Sequence, residues 1–136
     1  MTRIDAIVFV PVGVTVDELG QPYEDAASAL AEIAALGVKV IVVPSLSESE
    51  LRRAVLDAGV AAARAICLTE SELGIRAARS AGMQPVLMMN DPDEAMRLTA
   101  LNPAGGIVSL HELPDFVRVV NRDTRRPPES TDASIK

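Results

Sequence analysis

Ala65-Ile66-Cys67-Leu68-Thr69-Glu70-Ser71-Glu72-Leu73-Gly74-Ile75-Arg76-Ala77-Ala78-Arg79-Ser80-Ala81-Gly82-Met83 holds an apolar run, a polar junction, an amphipathic segment and a glycine stop. The run at 65–68 is continuous and not alternating, which suits a parallel strand covered on both faces. Thr69 and Glu72 have the spacing of a capping box ahead of a helix over 73–81, and Gly82 is placed to end it. A strand that passes at once into a helix is the unit of an α/β fold with right-handed crossovers.

The same grammar repeats outward in both directions. Apolar runs at 4–10, 38–43, 85–89 and 106–108 are each followed by helix signals. Residues 23–36 begin with Glu24 and Asp25 and stop at Gly37. Ser47 and Glu50 form a capping box before a helix over 51–58 that stops at Gly59. Asp91-Pro92-Asp93-Glu94 supplies an N-cap, a proline at the first helical position and an acidic first turn. Ser109 and Glu112 open a last helix that reaches to about Val120. The pattern predicts a doubly wound, Rossmann-like, mainly parallel five-stranded sheet flanked by helices. The run at 4–10, uncharged over 6–10, is expected in its middle, covered on both faces.

Composition agrees with one such domain. Of 136 residues, 49% are hydrophobic but only 2% aromatic, so the core must be aliphatic. The domain is placed at 1–120. The stretch 121–136 lacks the apolar residues to hold it and is expected to be a disordered C-terminal tail. A net charge of −6 argues against a nucleic-acid or acidic-membrane surface, which would need clustered Lys and Arg. The apolar runs are far short of the roughly 20 residues of a membrane helix. Met1-Thr2-Arg3-Ile4-Asp5 runs into the first strand pattern with no signal-peptide organisation, so a cytoplasmic location is expected. The single cysteine, Cys67, reads as a small core residue.

In open parallel sheets ligands bind beyond the carboxyl ends of the strands. Here those ends carry Asp17, Glu18, Glu70, Asp91 and several hydroxyls, with no Lys or Arg to meet an anion. His111, the only histidine, stands in the first turn of a helix, where a structural role is expected.

Asp5-Ala6-Ile7-Val8-Phe9-Val10-Pro11-Val12-Gly13-Val14-Thr15-Val16-Asp17 resembles the first motif of the haloacid dehalogenase (HAD) superfamily, a hydrophobic strand running into Asp-x-Asp-Gly-Thr/Val. Residues 70–83 are similar to its last motif, Asp-Ser-x-x-Gly-Ile-x-Ala-Ala-x-x-Ala-Gly-Met. The ending Gly106-Ile107-Val108-Ser109-Leu110-His111-Glu112-Leu113-Pro114 resembles the family's closing strand and helix. The likeness spans about residues 4–120 in the family's order. It implies a HAD-type phosphatase scaffold, here without room for a cap domain.

The departures bear on chemistry. The position of the family's aspartyl nucleophile is Val10, and that of its second, acid–base aspartate is Val12. An aliphatic side chain can perform neither role. The phosphate-binding Thr/Ser falls at Pro44 by strand spacing, or at Ser45 if the loop slips by one. The family's lysine has no counterpart between Gly59 and Ile66. Its metal-binding aspartate becomes Glu70, next to Ser71, so Glu70 is the single candidate metal ligand and Mg²⁺ is expected to be lost.

The resemblance therefore points to a catalytically inactive, pseudo-phosphatase domain acting in protein interaction, regulation or assembly, with a protein partner or a second copy. Two alternatives stand beside it: a module binding a small ligand in a remodelled apolar crevice, and a hydrolase with altered chemistry around Asp17, Glu70 and His111. The candidate contacts are Val10, Val12, Gly13, Val14, Asp17, Ser45, Glu70 and Ser71, with Gly13 setting backbone conformation after the first strand. The valines at 10, 12, 14 and 16 either plug the old pocket or line a new crevice.

Overall fold

A computed structural model describes residues 3–17 and 19–125. Its strands are β1 (Ala6–Phe9), β2 (Lys39–Val42), β3 (Ala65–Thr69), β4 (Gln84–Met88) and β5 (Gly105–Ile107). Its helices are α1 (Ala26–Ala35), α2 (Glu48–Ala58), α3 (Glu72–Ser80), α4 (Pro92–Thr99) and α5 (Leu113–Arg125). All strand pairs are parallel, in the order β2-β1-β3-β4-β5. β1 is thus interior, as its uncharged run requires, but β3 is the central strand. Local pattern reports that a strand is covered on both faces, not its rank in the sheet.

β1 shows the consequence residue by residue. Ile7 and Phe9 enter the core shared with α1 and α5, while Ala6 and Val8 enter the core shared with α2 and α3. All four are fully buried. Each large aliphatic so placed contributes about 1.5–3 kcal/mol. A third, smaller cluster joins Ile75 of α3, Leu87 of β4, and Ala95 and Leu98 of α4.

The helix starts follow the sequence with three corrections: α1 begins only at Ala26, with no side-chain cap from Asp25, the Ser47–Glu50 pair supplies only the serine's half of a capping box, and the cap of α3 moves. Ser47 caps α2, Asp91 caps α4 with proline in the first turn, and Ser109 with Glu112 forms a capping box on the 3₁₀ turn leading into α5. α3 is capped by Ser71, which accepts from the Gly74 N–H, and not by Thr69. Thr69 is the last residue of β3, buried, and its hydroxyl accepts from the Ser71 N–H at 3.1 Å.

At the other end of the chain, α5 passes Val120 and continues to Arg125, so residues 121–125 do not belong to a tail. The reason is Asn121. Its buried amide accepts from the Ile4 N–H at 2.7 Å and donates to the Ile4 carbonyl at 3.0 Å, tying the helix to the chain entering β1. The remainder of the expected tail, 126–136, lies outside the described residues. No cap module is evident among those described, and no helix there is long and apolar enough to cross a membrane.

Candidate functional site at the carboxyl end of the sheet

The segment leaving β1 turns sharply and then folds back on itself. The Pro11 carbonyl faces the N–H groups of Val14, Thr15 and Val16 at 2.9–3.1 Å, and Val16 then bridges to both Val12 and Pro22. Asp17 holds the tip of this small hairpin: its carboxylate accepts from the N–H groups of Leu19 and Gln21, both at 2.9 Å. This is the local role Asp favours in turns. Glu18 lies outside the described residues.

The alternating valines divide between two fates. Val14 is buried in the core under α1, and Val10 is half-buried against the core under α2 and α3. Val12, by contrast, is 48% exposed. Of Val10 and Val12, the first packs at the edge of the core, and the second is open to solvent.

Glu70 follows β3 and reaches across to this segment. The Asn90 amide donates to Glu70 Oε2 at 2.8 Å and to the Gly13 carbonyl at 2.9 Å, joining the ends of β1, β3 and β4. Gly13 has φ +88°, and a Cβ on it would lie 2.6 Å from Glu70 Oε1. Glycine is therefore required there twice over, by backbone conformation and by the carboxylate packed against it. Sequence reasoning missed Asn90. In Met89-Asn90-Asp91-Pro92 it reads as an ordinary turn residue, and its partners are 20 and 77 residues away.

An open cavity of about 360 Å³ is lined by Gly13, Asp17, Leu19, Tyr23, Glu70 and Asn90. Beside it lies a smaller, more apolar cleft of about 200 Å³ between Val14, Tyr23, Met88, Val108 and Leu110, rimmed by Glu24 and Asp25. No Lys or Arg lines either among the described residues. A phosphate group would meet carboxylates without a countercharge, the opposite of the arrangement that recognises phosphate. Ser71 spends its hydroxyl on the α3 cap, and Ser45 is exposed on the β2–α2 connection.

Asp17 and Glu70 are brought to one cavity, but His111 is not. Its Nδ1 lies 2.5 Å from Ser109 Oγ and 3.7 Å from Asp25 Oδ2. The serine and the carboxylate face the same ring nitrogen. A relay that activates a hydroxyl needs one nitrogen for each, so these three residues do not form a triad. Cys67 is buried within β3, and burial pushes its thiol up to about 12, far from a nucleophile's range.

The HAD resemblance implies a divalent cation, and the residues do not fit one. Mg²⁺ demands near-octahedral oxygen ligation built on carboxylates. Val10 and Val12 bring none, Glu70 already accepts from an amide, and no group of three His, Cys, Asp or Glu among the described residues could hold a metal ion.

No family model and no curated protein matches the sequence. Solved structures do match in fold. One superposes with a TM-score of 0.70 at 13% identity, covering 92% of this chain and all of its own. Another is the cobalt-bound form of deoxy-D-mannose-octulosonate 8-phosphate phosphatase (YrbI) from Haemophilus influenzae, with a TM-score of 0.62 and 13% identity over 90% of this chain and 91% of that one. The chain has a HAD-like, Rossmann-type α/β fold. At this identity the likeness is one of scaffold.

Proposed function

We propose that this domain is a HAD-like scaffold that no longer transfers phosphoryl groups and acts through protein contacts, as a regulatory or assembly element. The observation that carries the reading is the split fate of Val10 and Val12. With Val10 half-buried and Val12 exposed, the end of β1 offers neither a nucleophile nor a proton shuttle, and it presents apolar surface instead. Leu19 and Val108, at the cavity and the cleft, are 86% and 62% exposed, and exposed apolar groups gathered around a concavity favour a contact site. The apolar cleft, about 200 Å³, is below the ~300–1,000 Å³ usual for ligand pockets and suits a single partner side chain, while the cavity of about 360 Å³ beside it reaches that range but is open and lined by Asp17 and Glu70. Loss of Mg²⁺ belongs to the same reading.

Two measurements test it. Purified protein with Mg²⁺ should hydrolyse generic phosphate esters no faster than a matched blank. Turnover that survives rigorous purification and disappears on Glu70→Gln would overturn the inactive reading. Because Cys67 is buried, Val12→Cys carries one accessible thiol for attachment of a cross-linker. Such a probe should capture a discrete partner from extracts of the source cell, while the same probe on Leu56→Cys, exposed on α2, should not. Equal capture from both positions would remove the surface around Val12 as the contact site.

A further inference from the structure

We propose that the free edge of β2 pairs with the β2 edge of a second copy of this chain, antiparallel across a two-fold axis at Ile41, giving a continuous ten-stranded sheet. In the parallel ladder with β1, alternate residues of β2 bond inward. The Lys39 N–H donates to the Asp5 carbonyl and the Val43 N–H to the Phe9 carbonyl, both at 3.0 Å, and the register places Ile41 in the same set. The N–H and C=O groups of Val40 and Val42 therefore point away from the sheet.

Both neighbours in that outward series are closed. Val38 donates its N–H to the Ile33 carbonyl at the end of α1, and Pro44 has no N–H to offer. The open set is thus Val40 and Val42, and a two-fold axis at Ile41 maps each onto the other. Directly opposed residues in an antiparallel pair exchange both hydrogen bonds. Val40 facing Val42 of the second copy, and the reverse, would satisfy every outward group of the strand. Self-complementarity of this kind is what a two-fold interface requires.

The surroundings favour the same occupant. Val42 is 57% exposed, and an open hollow of about 460 Å³ between β2 and α2 is floored by Ile41, Val43, Pro44, Ala54 and Ala58. Its rim carries Glu50, Arg53 and Asp57, so the two signs are mixed where two copies would meet. The acidic cleft at the carboxyl end would repel its own copy. Lysine commonly guards exposed edges, but Lys39 turns its ammonium to the Ala58 carbonyl at the end of α2 and leaves the edge uncovered.

The test is Val42→Pro. Proline is tolerated on an edge strand where its missing N–H faces outward, so this variant should fold with the parent's circular dichroism. Sedimentation of the full chain should give twice 14.4 kDa at high concentration and 14.4 kDa on dilution, while Val42→Pro should remain at 14.4 kDa throughout. On the parent, the Val42 amide should exchange with solvent more slowly as concentration rises, a readout that does not depend on any variant folding. A parent that stays monomeric at its highest soluble concentration overturns the proposal. So does a Val42 amide whose exchange is independent of concentration, or a folded Val42→Pro that dimerises like the parent.

Discussion

Two junctions at the same end of the sheet, residues 10–16 after β1 and residues 69–74 after β3, are built to opposite tolerances. After β3 the chain enters α3 so closely that a Cβ on Gly74 would stand 1.9 Å from Thr69 Oγ1. Thr69 is buried there with its hydroxyl bonded to the Ser71 N–H. After β1 the chain leaves the core at Val10 and shows Val12 to solvent. Both stretches resemble motifs of one superfamily. The β3 junction keeps its character for steric reasons that hold with or without catalysis, whereas the β1 junction has no packing demand at position 12. Packing alone is therefore enough to hold the β3 stretch to its sequence, and it places no such demand on position 12.

The largest expected effect lies on β1 itself. Val8→Asp puts a carboxylate into a fully buried position between two helix layers, and no folded protein should be recovered. Soluble Val8→Asp melting like the parent would contradict the interior placement of β1. Next comes the tight junction: Gly74→Ala should lose about 1–3 kcal/mol in urea unfolding, as overpacked cores do. An unchanged midpoint would mean that α3 can move off β3 freely.

Gly13→Ala should cost about 1–2 kcal/mol from its left-handed backbone alone, plus the displacement of Glu70. Adding Glu70→Ala should recover the second share and not the first. Full recovery in the double variant would show that the backbone conformation is not strained.

Cys67 reports on the β3 side through pH. Its folded pKa is raised from 9.0 to about 12, so the stabilising preference for the neutral thiol is intact below pH 9 and is lost as pH rises toward 12. Over that window the parent should lose up to about 1.4 kcal/mol per pH unit relative to Cys67→Ala. Parallel stability profiles for the two would place the thiol nearer solvent. The smallest effect is Val12→Asp, four residues beyond Val8, which should change stability by no more than about 0.5 kcal/mol. A loss as large as that of Gly74→Ala would make Val12 part of the core and weaken the contact-surface reading.

Much of this was legible in the sequence because it is local. Uncharged apolar runs, Ser47 with Glu50, Asp91 with Pro92, and Ser109 with Glu112 fix where strands end and helices begin. What escaped depends on distance along the chain. Ser71 displaced Thr69 as the α3 cap because β3 runs one residue further than its apolar run and buries Thr69. Asn121 extends α5 only because Ile4 lies beside it, 117 residues away. Asn90 joins three strand ends that no spacing rule connects. The valines at 10 and 12 are equivalent as text, and only the turn at Pro11 sends one inward and the other out.

The parallel sheet has a last consequence at the scale of the whole molecule. Every described helix starts at the end where the strands finish, and apart from α1 the starts carry acids: Glu48 and Glu50, Glu72, Asp93 and Glu94, and, at the turn into α5 and its first turn, Glu112 and Asp115. Arg79 sits in the final turn of α3, whereas Arg97 reaches back to Glu72 and Glu94 and offsets part of that charge. The domain is consequently an oriented object in an electric field. On a positively charged support it should adsorb cleft-first, with the amino ends of the strands facing the liquid. A reporter dye attached near Arg64 should then stay accessible to a soluble quencher, while one attached at Val12 should be shielded until salt releases the protein.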